Sequence, residues 1–192
     1  MTAQEIDPPL HRINVAQFHL MLAAGVLTEN DRIELIDGEM RDMPPIGPTH
    51  NGCTGALLMR FASTLADRAF VTSQGPLALD RRSELYPDLL VLKPRDDLYQ
   101  TGHPSADDVL LLIEVSDSTL NYDRETKLPK YARAGVPLCW IVDVQHKRIH
   151  EYRDPDRFAR RYRQSRSVAE GAIAATLAGV EVQVTMTDLF RF

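Results

Sequence analysis

The segment DVLLLIEVS, Asp108–Ser116, sets the architecture predicted for this chain, together with DRETKLPKYARAG at Asp123–Gly135 and LCWIVDV at Leu138–Val144. Residues 109–113 are apolar at every position, which is typical of a strand covered on both faces of a sheet. The second segment has helical spacing and ends at a glycine, and the third is again almost continuously apolar. With a further strand upstream, this order predicts strands and helices arranged around a mixed central sheet.

Upstream, the patterns predict a helix and then a hairpin. Residues 14–27 have apolar positions at mostly helical spacing, as expected of a short amphipathic helix that packs on a core and ends near Gly25. Residues 32–43 place apolar side chains on both sides of Asp37-Gly38, the dipeptide most strongly associated with a two-residue turn. We therefore expect two short antiparallel strands after the first helix.

A second helix and further strands are predicted between this hairpin and the buried segment. Thr49 follows a proline-rich break and is expected to cap a helix that runs to about Arg68. Residues 69–79 and 85–92 have the composition of strands, separated by loops rich in aspartate, proline and glycine. In the later helix, Pro129 removes a backbone donor, so that helix is expected to begin late or to bend there.

Downstream, the chain is predicted to end in β structure. Residues 147–164 alternate as a hairpin that turns at Asp154-Pro155-Asp156, and residues 179–185 alternate like an edge strand. The expected fold class is α/β: a mixed central sheet flanked by helices, with an N-terminal helix and hairpin and a C-terminal β-hairpin. No domain boundary is apparent, so residues 1–192 are expected to form a single domain.

Composition predicts a soluble globular protein. Hydrophobic residues make up 44% of the 192, and the longest apolar runs are far shorter than the roughly 20 residues needed to cross a bilayer. The N-terminal sequence is acidic where a secretory signal would be basic and then apolar, so we expect a cytoplasmic protein. Cys53 and Cys139 have no CxxC spacing and are expected to be reduced and structural.

The formal net charge of −5 argues against a protein that coats nucleic acid through bulk electrostatics, but the charge is unevenly placed. Residues 147–166 hold eight basic and three acidic side chains, a local charge of +5 that leaves −10 for the remainder. This division suits an enzyme with an acidic metal site beside a basic rim. A solvated hairpin face would explain the same arginines.

Two carboxylates form the first part of a candidate reaction centre. Pro87-Asp88 offers one after a turn, and Glu114 directly follows the apolar run, where a carboxylate needs a partner or a metal. Two close carboxylates repel unless a divalent cation lies between them, and Mg²⁺ accepts one or two such ligands while retaining several waters. The carbonyl of Val115 is a further candidate ligand. A cation held there would lower the pKa of a bound water and offset charge on a phosphate.

The second part is an ammonium group that would assist such a water. Lys127 shares one helix face with Asp123 and Tyr131 at successive i+4 positions. Lys130 lies off that face and is the poorer candidate. An alternative is that Lys127 only forms a solvated ion pair with Asp123.

Several ordered motifs make the chain similar to a known family. They are Glu34–Glu39, His50, Pro87-Asp88, Ile113–Ser116, Tyr122–Arg124, Lys127–Pro129, Tyr131-Ala132, Ala134–Val136 and Trp140–Asp143. This set covers roughly residues 14–153 and resembles the Uma-type restriction endonucleases of the PD-(D/E)XK nuclease superfamily. The resemblance implies a restriction-endonuclease-like fold and a metal-dependent endonuclease that cleaves DNA, frequently as a homodimer, with Mg²⁺ as the cofactor and Mn²⁺ as a substitute.

The resemblance also implies where the lysine comes from. In the commonest form of the superfamily it stands two residues after the glutamate, a position that Ser116 occupies here. In Uma-type proteins the following helix supplies it instead, which here would be Lys127. Glu34 resembles the acidic residue that joins the metal shell from an N-terminal element, although it could equally pair with an arginine across its hairpin. His50 could be an ordinary helix residue or a contact to the metal shell.

Other side chains are weaker candidates. Cys53 lies three residues from His50, but no third residue is apparent that would orient a thiol nucleophile. His146 and His150 would share a strand face, without the helix that an HExxH zinc site requires, so both are expected at the surface.

Two classes of function therefore fit the sequence. The first is hydrolysis of DNA by a Mg²⁺-activated water held between Asp88 and Glu114, assisted by Lys127, with Glu34 in the shell. The second is a nuclease-fold dimer without turnover that binds nucleic acid or a partner, as Ser116 in place of the usual lysine suggests. Hydrolysis of RNA or another phosphodiester is a third reading.

Overall fold

The structure is a computed structural model that describes residues 8–191. Residues 1–7, on which the expected cytoplasmic location partly rests, and residue 192 lie outside the described residues. The helices are α1 Val15–Ala23, α2 Pro48–Leu65, α3 Leu120–Tyr122, α4 Leu128–Ala134 and α5 Met186–Leu189. The strands are β1 Ile33–Ile36, β2 Glu39–Asp42, β3 Phe70–Thr72, β4 Leu77–Asp80, β5 Ser83–Leu85, β6 Leu89–Leu92, β7 Val109–Ser116, β8 Leu138–Asp143, β9 Arg148–Asp156, β10 Arg161–Val168, β11 Ala172–Leu177 and β12 Val180–Thr185.

The central sheet has six strands in the order β10-β9-β8-β7-β6-β3. β7 and β8 pair in parallel, and the other neighbours pair antiparallel, so the sheet is mixed as predicted. Every residue of β6 and β8 is buried, and in β7 only Leu110 is partly exposed. The expectation that the apolar run is covered on both faces is confirmed.

Each face of the central sheet carries its own core. Leu111, Ile113 and Val115 of β7 belong to the core that includes α2, the β11–β12 hairpin and α5. Leu112 belongs to the core on the opposite face, which includes Tyr131 of α4. Because side chains alternate along a strand, Glu114 faces the α4 side.

A second sheet, in the order β2-β1-β5-β4, contributes to this opposite core. Its β1–β2 hairpin turns at Asp37-Gly38, as predicted, and both residues have positive φ, 50° and 83°. Such angles match the turn type that Asp-Gly favours. The hairpin therefore places β1, and with it Glu34, beside the β7 face that carries Glu114.

The first two helices differ from the predictions at their ends. α1 ends at Ala23, two residues before the predicted end near Gly25, and Asn14 caps it in a reciprocal capping box with Gln17. α2 begins at Pro48 with Gly47 as the N-cap residue, so the Thr49 cap was wrong. Pro48 sets the start because its ring fixes a helical φ and its missing N–H is not needed in the first turn.

The helix around Pro129 is divided into three parts. α3 passes into a π-helical turn, Asp123–Lys127, and then into α4, where Pro129 lies in the first turn. The irregularity expected at Pro129 is therefore the π-helical turn that precedes α4. The proline itself breaks no backbone hydrogen bond, because it lies in the first turn of α4.

The C-terminal β structure corrects one predicted turn and adds a strand. Asp156 pairs with Arg161 and Pro155 with Tyr162, so the β9–β10 turn spans residues 157–160 and not 154–156. Pro155 is tolerated in β9 because β8 pairs with β9 only as far as Arg153, which leaves one edge free at the proline. The edge strand predicted at 179–185 is β12, and it pairs with β11, a strand that the sequence analysis missed.

Within the described residues, no helix is long and apolar enough to cross a membrane.

Replacement of Gly38 by alanine should destabilise the fold by about 2 kcal/mol or more, because the left-handed conformation alone costs roughly 1–2 kcal/mol for a residue with a Cβ. The added Cβ would also lie 2.7 Å from the carbonyl oxygen of Ile13. Gly52, in the interior of α2, is the control, since a Cβ there meets nothing within 4 Å and alanine should stabilise the helix by about 0.5–1 kcal/mol. Urea unfolding measures both, and equal effects would contradict the assignment.

Candidate active site

A cleft of about 880 Å³ lies where the two sheets meet the π-helical turn. The residues proposed for catalysis or for metal binding all line it: Glu34, Asp88, Glu114, Val115 and Lys127. Side chains that are far apart in the sequence therefore share one cleft.

The register of the central sheet places Asp88 beside Glu114. Leu89 pairs with Ile113 across β6 and β7, so the residue before Leu89 lies next to the residues after Ile113. The Val115 backbone N–H donates to Asp88 Oδ2 at 2.7 Å. On the other oxygen, His50 Nε2 lies 3.0 Å from Asp88 Oδ1. The Asp88 carboxylate is thus held on both sides.

Glu114 is 2% exposed, and the hydroxyl of Tyr131 donates to its Oε1 at 2.5 Å. Burial raises the pKa of Glu114 well above its ordinary value, although the Lys127 ammonium acts in the opposite direction. The carboxylate thus tends to keep its proton in this environment. A positive charge placed against Glu114 would favour the ionised form.

Lys127 lies among three carboxylates. Its Nζ is 3.3 Å from Glu114 Oε1 and 3.4 Å from Glu34 Oε2, with Asp123 Oδ1 at 3.9 Å. Burial alone would lower the pKa of Lys127, but the surrounding carboxylates, Glu114 above all, outweigh it and raise the pKa. The alternative of a solvated pair with Asp123 was wrong, because both side chains are buried.

Glu34 approaches the cluster from the N-terminal hairpin. It is 1% exposed, and its Oε1 accepts a hydrogen bond from the Tyr122 hydroxyl at 2.8 Å. Its Oε2 is buried and receives no hydrogen bond from residues 8–191, although the Lys127 ammonium lies 3.4 Å away. Arg41 stands opposite Glu34 in the hairpin but pairs with Glu39 at 2.7 Å. The cross-strand alternative for Glu34 was therefore wrong.

Ser116 and Asp123 occupy the place where the commoner motif would put a lysine. Glu114 and Ser116 are two residues apart on one strand and so point to the same face. The Ser116 hydroxyl donates to Asp123 Oδ2 at 2.7 Å, and Thr119 Oγ1 donates to the same oxygen at 2.6 Å. Burial raises the pKa of Asp123. The short serine thus leaves space that Asp123 and Lys127 fill from the following turn.

Sequence reasoning missed two members of this cluster. Asp123 was considered only as an ion-pair partner of Lys127, and Tyr131 only as a residue on the same helix face. The i+4 spacing of the three was the available signal. The π-helical turn that carries Asp123 and Lys127 is a rare conformation that is frequent at functional sites.

The other candidates lie elsewhere or have structural partners. The Lys130 ammonium contacts Asp37 and lines a separate pocket, so Lys127 is the lysine beside the acids. The Cys53 thiol is buried and donates to the Leu189 carbonyl at 3.7 Å, and burial raises its pKa. Both findings agree with the sequence analysis, in which Lys130 was the poorer candidate for the catalytic lysine and Cys53 a weak candidate for a nucleophile.

The basic segment at residues 147–166 does not line the cleft. Arg153 and Arg166 flank the buried Glu151 at 2.8 and 2.7 Å, and Arg163 pairs with Asp154 and Asp156. These carboxylates offset three of the eight basic charges of the segment, so a local charge of +5 remains, and the basic rim stays a prediction.

The two histidines of that region differ from each other. His146 is exposed, as expected, and its Nδ1 lies 2.8 Å from Asp143 Oδ2. His150 is half-buried, with its Nε2 3.7 Å from the same oxygen, so its predicted surface position was wrong.

The acidic cluster fits a divalent cation in charge and in donor type. The carboxylates of Glu34, Asp88, Glu114 and Asp123 line the same cleft as the Lys127 ammonium, and one Glu34 oxygen, 3.4 Å from that ammonium, receives no hydrogen bond from residues 8–191. Within residues 8–191, no three His, Cys, Asp or Glu side chains converge closely enough to form a metal site on their own. Mg²⁺ requires only one or two carboxylates and completes its octahedral shell with water.

Two matches among known proteins are to proteins described as putative nucleases. Over residues 15–187 the sequence matches the family described as "Uma2: Putative restriction endonuclease". Among solved structures, the chain is similar to the crystal structure of "a putative nuclease belonging to DUF820" from Anabaena variabilis, with a TM-score of 0.68, 15% identity, and coverage of 93% of this chain and 98% of that chain. None of the curated proteins matches. The predicted fold class is confirmed by this likeness.

Replacement of Glu114 by glutamine should stabilise the metal-free protein, and more at pH 8 than at pH 5. Because burial raises the folded-state pKa of Glu114 above 4.5, the folded protein keeps a proton that the unfolded chain has released. Stability therefore falls as the pH rises between the two pKa values, by about 1.4 kcal/mol for each pH unit that separates them. Glutamine removes this loss.

Urea unfolding in EDTA at the two pH values measures the effect. Glu125→Gln is the matched control, since Glu125 lies exposed on the same π-helical turn. The free energy of unfolding should therefore increase more at pH 8 than at pH 5 in Glu114→Gln only. An equal increase at both pH values, or the same increase in Glu125→Gln, would contradict a pKa of Glu114 raised by burial.

Proposed function

Since the chain belongs to the Uma2 family, whose description is "Putative restriction endonuclease", we propose that it is a Mg²⁺-dependent endonuclease that hydrolyses phosphodiester bonds in DNA. Asp88, Glu114 and the Val115 carbonyl bind the cation, for which Mn²⁺ can substitute, and Lys127 assists. Glu34 belongs to the same shell. The observation that carries the proposal is the convergence of two acids and one ammonium in a single cleft.

In this proposal the carboxylates bind the cation and do not themselves react with the substrate. When Mg²⁺ is bound, it offsets charge on the phosphate and lowers the pKa of a water. Asp88 is oriented for this by the Val115 N–H and by His50, and Glu114 by Tyr131 and Lys127. Such fixed partners keep the carboxylates from rotating when a substrate enters, which is the condition for preorganised electrostatics.

Lys127 acts as a positive charge and not as a base. Because the neighbouring carboxylates raise its pKa, the amine stays protonated at neutral pH and cannot accept a proton from water. Its ammonium can donate to a phosphate oxygen or to the attacking water as negative charge builds up. The Oε2 of Glu34, which lies 3.4 Å from this ammonium, would serve the cation or one of its waters as a further acceptor.

A nuclease-fold protein without turnover remains the second candidate, because Ser116 occupies the usual lysine position. Lys127 lies 3.3 Å from Glu114, which weakens that argument, since an ammonium is present by another route. Assembly as a homodimer and a cytoplasmic location are further parts of the proposal. They rest on the family resemblance and on the N-terminal composition.

Asp88→Ala, Glu114→Gln and Lys127→Met should each lower the rate of plasmid nicking in Mg²⁺ or Mn²⁺ by roughly 100-fold or more. Each change removes either a cation ligand or the positive charge at the phosphate, and the loss of one such preorganised group typically has this size. The assay follows conversion of supercoiled plasmid to the nicked form, with EDTA as the metal-free reference.

Lys130→Met is the matched control, since this lysine contacts Asp37 outside the cleft and should retain full activity. Equal nicking by wild type and Asp88→Ala would count against the proposal. Calorimetric titration with Mg²⁺ distinguishes the nuclease from the nuclease-fold protein without turnover. A protein that neither cuts DNA nor binds Mg²⁺ through Asp88 and Glu114 would be the second of these.

A further inference from the structure

The cleft extends beyond the acids to a second wall. This wall, which we call the distal wall, is built by α1, by the turn before β1 and by the segment that leads into α2. Its apolar members are Phe18, Leu22, Leu27, Met43, Pro44 and Ile46. A cleft of about 880 Å³ lies in the size range of sites that enclose small ligands, so it has room for a nucleotide.

Arg32 gives the distal wall a positive charge. It precedes Glu34 by two residues, and both side chains line the cleft. Its Nε is buried without a hydrogen-bond partner, and among residues 8–191 no carboxylate pairs with its guanidinium. The arginines of the β9–β10 hairpin behave differently, as Arg163 and Arg166 show by pairing with acids. An unpaired guanidinium in a cleft is suited to an external anion, and phosphate is the anion that its geometry favours.

Two imidazoles complete the distal wall. The rings of His19 and His103 meet edge to face, with centroids 5.6 Å apart and an interplanar angle of 87°. His19 Nε2 lies 2.8 and 3.0 Å from the two carboxylate oxygens of Glu84, which is 1% exposed. This buried carboxylate fixes the orientation of the His19 ring. Nucleic-acid bases stack on rings of this kind when they are not paired.

The acids themselves are poorly accessible. Glu34, Glu114 and Lys127 are 1%, 2% and 7% exposed, so a phosphate must enter the cleft to reach them. In a continuous duplex, the bases on both sides of a phosphate remain stacked, and moving one nucleotide into a pocket costs a few kcal/mol. A single strand avoids that cost.

We infer that the distal wall binds one unpaired nucleotide next to the scissile phosphate: Arg32 takes its phosphate, and the His19–His103 pair with the apolar residues takes its base. The preferred substrate is accordingly DNA with a single-stranded segment. This inference rests on the proposed nuclease function and specifies the class of DNA on which it acts.

Binding measured without turnover tests the inference. Fluorescence anisotropy in EDTA compares 5′-fluorescein dT12 with the same strand annealed to dA12, on the wild-type protein and on Arg32→Gln. We expect the single strand to bind at least tenfold more tightly than the duplex. Arg32→Gln should weaken binding of the single strand by about tenfold, the loss expected for one charge-assisted phosphate contact.

Arg68→Gln is the matched control, because Arg68 is exposed in the turn after α2 and does not line the cleft. Equal affinity for the two DNA forms, no binding of either, or an equal effect of the two arginine substitutions would overturn the inference. The wild-type comparison decides even if Arg32→Gln fails to fold. A protein that prefers the single strand but cuts no DNA would refute the nuclease and leave the nucleotide subsite standing.

Discussion

The charge of Lys127 has to balance several acids in a place that water hardly reaches. Carboxylates from three separate parts of the chain lie within 4 Å of its ammonium: Glu34, Glu114 and Asp123. A buried carboxylate without a counter-charge is strongly unfavourable, and one ammonium cannot offset three. Burial therefore raises the pKa of Glu114 and of Asp123, and a divalent cation would favour their ionised forms. The contacts that position the acids in the fold therefore also favour the binding of a cation.

The β structure brings these groups together through register. Pairing of Leu89 with Ile113 sets Asp88 against Glu114, and the β1–β2 hairpin turned at Asp37-Gly38 brings Glu34 to the same face. The tight positive-φ turn leaves little freedom for β1 to slip, and a shift of one residue would send Glu34 to the opposite face. Glu34, Asp88 and Glu114 depend on strand geometry in this way, whereas Asp123 and the Lys127 ammonium depend on the π-helical turn.

Patterns local to the sequence were read correctly where one interaction dominates. The apolar run before Glu114 specifies a covered strand, and Asp37-Gly38 specifies its turn, because hydrophobic burial and backbone strain each act within a few residues. The turn at residues 157–160 and the strand β11 depend on which edges remain free after the sheet has assembled, and no local pattern contains that information. The position of Lys127 beside the acids was expected from the family resemblance. The roles of Asp123 and Tyr131 appear only once the helix is docked, because their partners lie on a distant strand.

The π-helical turn makes the number of residues between Asp123 and Lys127 part of the site. A relative that lost one residue there could still form a regular α-helix, yet everything on one side of the deletion would rotate by about 100° relative to the other side. Either the aspartate or the lysine with its tyrosine would then leave the cleft. Such a shortened protein would align well with this one over most of its length and still lack a working centre. Spacing in this turn is therefore a better criterion for sorting active from inactive homologues than the presence of the residues alone.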